Sequence, residues 1–270
     1  MAYRTILVEL ADDGGLEQRL QVARSLAERF DAVLIGMHVM PRPFIPASYG
    51  EATAYLGPEL IEAQRKANRE IAGRVQAAFQ RICGEGTNAI WQEAEGDRGD
   101  LLAEAARTTD LLIARHAKVG ATEAPDVLDQ LVTATGVPVL ALPSGFSGDL
   151  GQTVLVAWNG SREATRAVHD ALPLLHEPKR VILSAVGDEA ATTLEAAAAM
   201  LRRHGLAVQA HKVGELDGNA GEVLLAQAAG HAADLLVMGA YGHARLRELV
   251  FGGATRHVMH EATLPVLFSS

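Results

Sequence analysis

At 270 residues the chain is long enough for two domains of about 150 residues each, and its 49% hydrophobic and 21% charged residues are too apolar for disorder. Aromatics are only 4%, so Ala, Val, Leu and Ile must build the core, which suits parallel strands under Ala-rich helices and argues against a β-sandwich. The net charge is −9, and the basic residues, 20 Arg and 4 Lys, are scattered; this excludes a nucleic-acid groove but leaves room for a local pocket for a small anion.

In the first half, short apolar runs predict strands near 5–10, 32–39, 88–94, 111–115 and 138–142. Helical patterns fall near 15–29, 59–83, 99–108 and 122–134. The second half predicts strands near 153–158, 180–186, 207–213, 234–238 and 265–269, with helices near 161–175, 189–204, 220–231 and 253–262. The halves repeat one another. Thr5-Ile6-Leu7-Val8 returns as Thr153-Val154-Leu155-Val156, Asp110-Leu111-Leu112-Ile113 as Asp234-Leu235-Leu236-Val237, and Val137-Pro138-Val139-Leu140 as Leu264-Pro265-Val266-Leu267. Runs such as Leu235–Met238 are apolar on both faces, as strands covered on two sides must be. The expected fold is therefore α/β, with two tandem five-stranded, Rossmann-like parallel-sheet domains, 1–146 and 151–270. They are joined through the turn-rich Pro143–Gly148.

Cys83 is the only cysteine, so a disulfide framework within one chain is excluded. The N-terminal stretch reaches acidic residues too early for a signal peptide, and no run approaches the ~18 apolar residues of a membrane span. The expectation is a cytoplasmic protein with no membrane partner.

Open α/β sheets bind ligands at the carboxyl ends of their strands, beside helix N-termini. The feature that stands out there is Met238-Gly239-Ala240-Tyr241-Gly242, followed nine residues on by Gly252-Gly253-Ala254-Thr255 at a helix start. Glycines admit a phosphate to the backbone, the free N–H groups of Gly253, Ala254 and Thr255 would face an anion, and the Thr255 hydroxyl could add a donor. Equally, Gly239 and Gly242 could simply turn the chain and Gly252-Gly253 simply pack helix on strand. His243 and Arg245, inside this loop, are candidates to touch a ligand anion, or charges pointing to water.

Gly239-x2-Gly242-x9-Gly252-Gly253 after a fourth strand, closed by a Pro-Val-Leu strand, resembles the universal stress protein family. Val154–Ser161 is similar to that family's first strand and turn, so the chain resembles a tandem member with two domains. The resemblance implies a stress-response module that binds ATP, with Mg2+ only where it accompanies the nucleotide. It implies a triphosphate on Gly239, Gly242, Gly252, Gly253, Ala254 and Thr255, and adenine and ribose near Asn159 and the backbone of Ala185 and Val186, with Met238 leading into the loop. It also implies pairing of the two last strands, Val139–Leu142 with Val266–Ser269, as an intramolecular pseudo-dimer, with a homodimer as a further option. Two positions depart from the family: Asn159 stands where Asp is usual, and Gly253 where Ser or Thr is usual.

The first half departs further. Arg115-His116-Ala117-Lys118 occupies the place of the glycine loop, so this half is expected not to bind nucleotide in the family's way. A different anion site formed by Arg115, His116 and Lys118 is the alternative. Residues 41–58 hold three of the ten Phe and Tyr residues and read as a long proline-containing loop, either a lid or a cover for apolar surface.

Other chemistries fit poorly. A Walker loop needs Gly-Lys, and the Rossmann Gly-x-Gly-x-x-Gly is absent. Asp12-Asp13 lacks the lysine of a receiver domain, and neither Ser144 nor Ser147 sits in a nucleophile elbow. His257 and His260 are three apart but have no carboxylate cluster beside them. No base is placed beside a nucleophile, so no enzyme is expected. The alternatives are a slow ATPase or autokinase using the same pocket, and a scaffold that binds no nucleotide.

Overall fold

The computed structural model describes residues 2–46, 53–84, 88–116, 127–146, 148–175, 178–214, 219–242 and 253–270. The first half runs β1 (Thr5–Leu10), α1 (Leu16–Phe30), β2 (Val33–Met40), α2 (Thr53–Cys83), β3 (Ala89–Glu95), α3 (Arg98–Ala106), β4 (Leu111–His116), α4 (Val127–Ala134) and β5 (Val139–Pro143). The second runs β6 (Thr153–Trp158), α5 (Arg162–Ala171), β7 (Arg180–Val186), α6 (Asp188–Ala191), α7 (Leu194–Arg203), β8 (Val208–Val213), α8 (Ala220–Gly230), β9 (Leu235–Gly239), α9 (Ala254–Glu261) and β10 (Val266–Ser269).

One ten-stranded sheet spans both halves in the order β3-β2-β1-β4-β5-β10-β9-β6-β7-β8. Pairing is parallel within each half, and the halves meet antiparallel through Val266–Ala141, Leu267–Leu140 and Phe268–Val139. The two last strands thus cover one another's edges, which would otherwise invite pairing with other chains. Leu111 to Ala114 and Leu235 to Val237 are wholly buried, because helices cover both faces of the sheet. Every apolar run that the sequence predicts as a strand forms one, within a residue or two at each end.

The repeated aspartates have one job. Asp110 Oδ2 accepts the backbone N–H groups of Arg4 and Thr5 at 2.7 and 2.8 Å, and Asp234 accepts those of Gly151, Gln152 and Thr153 at 2.7 to 3.0 Å. Each ties the start of the first strand of its half to the start of the fourth.

Three helical expectations need correction. The helix expected over 161–175 ends at Ala171 and gives way to turns. The helix expected over 189–204 is interrupted between Ala191 and Leu194, at the β-branched pair Thr192-Thr193. The segment read as a loop over 41–58 is helical from Thr53, so α2 takes in Pro58 and the non-helical stretch is shorter than its composition suggests. The Phe44 backbone is held at both its N–H and its carbonyl by the Gln64 side chain at 2.8 and 2.9 Å, and the ring itself is 69% exposed. Tyr49 lies outside the described residues.

Candidate functional site

In the second half β6 lies between β9 and β7, so the chain leaves β6 on one side and returns on the other. The crevice where strand order reverses lies at the carboxyl ends of β6 and β9, the usual place for a ligand in such sheets. Trp158 ends β6 and pairs with Ala185, which sets Ala185 and Val186 beside Asn159 at the same edge. Asn159 is exposed; its Oδ1 accepts the Ser161 N–H at 3.1 Å, which leaves the donor end of the amide for a ligand. Ser161 then caps α5, its hydroxyl oxygen accepting the Ala164 N–H at 3.1 Å.

Gly239 ends β9 directly against the first turn of α5. A Cβ there would lie 2.5 Å from both Ala164 N and the Glu163 carbonyl carbon. At Gly242 a Cβ would lie 2.8 Å from Ser161 Oγ and 2.9 Å from Glu163 Oε2. Gly239 is therefore required by its close approach to the α5 backbone, whereas at Gly242 the neighbours are side-chain atoms of Ser161 and Glu163. The left-handed residue is Tyr241, at φ +61°. Its N–H points to Thr255 Oγ1 at 3.3 Å, and its hydroxyl reaches Met259 Sδ at 3.8 Å. The Thr255 oxygen thus serves as an acceptor that ties the β9 turn to α9, in a residue only 3% exposed, and its O–H keeps its donor capacity.

Gly253 precedes α9 with φ −57° and ψ 148°, and among the described residues no side chain caps the N–H groups of the first turn. Met238 is 4% exposed and belongs to the core beneath α8 and α9, so only its backbone faces the edge. Asn159, Ala185, Val186, Gly239, Gly242, Gly253, Ala254 and Thr255 all lie at this edge of the sheet; His243, Arg245 and Gly252 lie outside the described residues.

Sequence reasoning missed Glu163. It is 9% exposed, and its Oε1 pairs with Arg162 at 3.0 Å. Burial alone raises a carboxyl pKa, but hydrogen bonds from its own backbone N–H, Arg162 and Ser161 outweigh that and hold Glu163 below the usual carboxylate range. A negative charge therefore stands beside Gly242. An acid two residues after a capping serine is the signal that could have found it.

The first half fills the corresponding space with its own charges. Glu9, at 1% exposure, stands where the second half has Ala157; its Oε2 accepts the Arg115 N–H at 2.9 Å, and its Oε1 lies 3.5 Å from the guanidinium nitrogens of both Arg98 and Arg115. Arg19, at 2% exposure, donates to the Glu9 carbonyl at 2.8 Å and pairs with Asp13 at 3.2 Å; Asp13 also faces Arg115 at 3.7 Å. The anion-site alternative fails for the described members: Arg115 is committed to Glu9 and Asp13. The His116 ring nitrogen Nε2 bonds the Met259 carbonyl of α9, and Lys118 lies outside the described residues.

A separate polar cavity of about 470 Å³ lies between α1 and the connector, lined by Gln18, Ser25, Arg29, Asp149 and Gln152 among others, and contains none of the expected site residues. Among the described residues no group of three or more His, Cys, Asp or Glu could hold a metal ion, and no helix is long and apolar enough to cross a membrane.

Fold and site together define a tandem pair of α/β units, the first of which fills its own strand-edge crevice with charged side chains. Residues 151–269 match the model of the universal stress protein family. A 52-residue stretch is 44% identical to a universal stress protein of Synechocystis, covering 19% of this chain and 18% of that protein's length. The whole fold is shared with a universal stress protein from Archaeoglobus fulgidus, at a TM-score of 0.72 and 17% identity over 98% of this chain and 96% of that one. A protein of unknown function from Pseudomonas aeruginosa matches at a TM-score of 0.60 and 18% identity, over 99% and 92% of the two chains.

Proposed function

We propose that this protein is a regulatory module of the stress response that binds an adenine nucleotide, ATP in the family's manner, in its second half only. The observation that carries the reading is the contrast between two equivalent crevices. In the second half, Ala157 and Gly239 stand where the first half has Glu9 and Arg115 and place no charged side chain at the strand edge, and the helix start at Gly253, without a side-chain cap among the described residues, offers main-chain donors. In the first, Arg115, Arg19 and Glu9 occupy that space. Mg2+ enters only as the counter-ion of a bound nucleotide. On this reading the protein acts by binding rather than by catalysis.

Native mass spectrometry of freshly purified protein tests the reading, with a retained adenine nucleotide as the expected result. Calorimetry with ATP, AMP and cyclic AMP follows, with binding abolished by Gly252→Trp. No retained nucleotide and no heat with any of the three overturns the proposal and favours a scaffold acting through its surfaces. Phosphate release that Gly252→Trp abolishes would establish the ATPase alternative.

A further inference from the structure

The N-terminus of the first helix of each half already holds a carboxylate of the chain itself. In the first half it is Asp13, whose Oδ1 accepts the Gly15 N–H at 2.9 Å. In the second it is Glu163, held by its own N–H and by the Ser161 hydroxyl. An anion at such a position satisfies the local dipole and leaves less of it for a ligand. The two differ in how the charge is offset. Asp13 faces Arg19, whose side chain is 2% exposed, and Arg115, at 19%. The partner of Glu163 is Arg162, whose side chain is 91% exposed and therefore heavily screened by water. The Glu163 field persists into the crevice, and a Cβ on Gly242 would stand only 2.9 Å from Glu163 Oε2. Gly242 is joined through its neighbour Tyr241 to Thr255 at the start of α9, so the carboxylate lies at the very edge where phosphate would be received.

We propose that Glu163 sets the charge selectivity of this pocket, weakening binding in step with the phosphate charge of the ligand. A nucleotide with one or two negative charges then binds without a counter-ion, and a triphosphate binds well only when a divalent cation offsets its charge. The proposal rests on the adenine-nucleotide reading above and adds the class of nucleotide. Like charges brought together in a partly dry site repel strongly, whereas a neutral amide of the same shape does not.

Calorimetry on the full chain decides it, using cyclic AMP, AMP and ATP, each in EDTA and in excess Mg2+, for the wild type, Glu163→Gln and Arg162→Ala. In EDTA the wild type should bind cyclic AMP tightest and ATP weakest, with Mg2+ restoring ATP. Glu163→Gln should flatten the series, tightening ATP in EDTA by roughly tenfold more than cyclic AMP. Arg162→Ala, a change at an exposed side chain, should steepen it. If Glu163→Gln moves all three ligands equally, or leaves ATP unchanged, the inference fails while the nucleotide reading stands. If none of the proteins binds any of the three, the nucleotide reading fails and takes this inference with it.

Discussion

The buried charges of the first half allow a quantitative test. Glu9 Oε1 lies 3.5 Å from both Arg98 and Arg115, and at an effective dielectric of about 20 each contact is worth at most about 5 kcal/mol. The arginine side chains are 31% and 19% exposed, so water reduces that figure, and desolvation of Glu9 offsets more. What survives is the loss of both ion pairs and of the acceptor for the Arg115 N–H: Glu9→Ala should destabilise the protein by about 1–3 kcal/mol. Arg115→Ala leaves Glu9 with the Arg98 pair and the backbone N–H of residue 115. The double change restores something close to the second half's own solution, small residues at both positions. It should therefore cost about 1–3 kcal/mol less than the two single changes together. Urea unfolding followed by Trp91 emission, on a Trp158→Phe background so that one of the two tryptophans remains, measures the first half directly. Additivity within about 0.5 kcal/mol would show that the charges are solvated neighbours rather than a coupled network.

Gly239→Ala drives a Cβ to 2.5 Å from two backbone atoms of α5 and should lower stability by about 1–3 kcal/mol in thermal unfolding; Gly73→Ala, with nothing within 4 Å, should be neutral or stabilising. His116→Ala removes the ring contact with the Met259 carbonyl and should speed hydrogen exchange across α9 by roughly tenfold, a net hydrogen bond being worth about 1 kcal/mol. Burial, then Arg180 and His211, hold the His231 pKa below its usual value, so its neutral form belongs to the folded state. That contribution is complete above about pH 6.5 and is lost as pH falls below it, and His231→Gln should flatten the stability profile there. The Cys83 thiol, pushed up to about 11 by burial and fully enclosed, should react with Ellman's reagent only as the protein opens.

The fold was legible because its signals are local and doubled. Two-faced apolar runs admit few readings, and their recurrence in the same order, each with its clamping aspartate, leaves little choice of topology. The site was legible only in part. Gly239 and Gly242 stand out in the sequence, but whether a glycine receives a ligand or a neighbouring helix depends on where α5 packs, which no local pattern records. Glu9 sits in an apolar strand as a lone acid, and its meaning appears only when Arg19, Arg98 and Arg115 arrive from three other elements. The early start of α2 was hidden by Pro58, which argues against a helix by propensity and is outweighed by the length of the helix that follows.

The position of β10 carries a consequence for how the molecule is made. It is the last of the ten strands in the order of synthesis, yet it stands at the centre of the sheet. While the nascent chain emerges, β5 presents an unpaired, wholly apolar border for the whole time that β6 to β9 are translated. Completion of the molecule therefore waits on one short antiparallel seam. During that wait the first half is open to mispairing with a neighbouring copy, which gives chaperones a defined window in which to act.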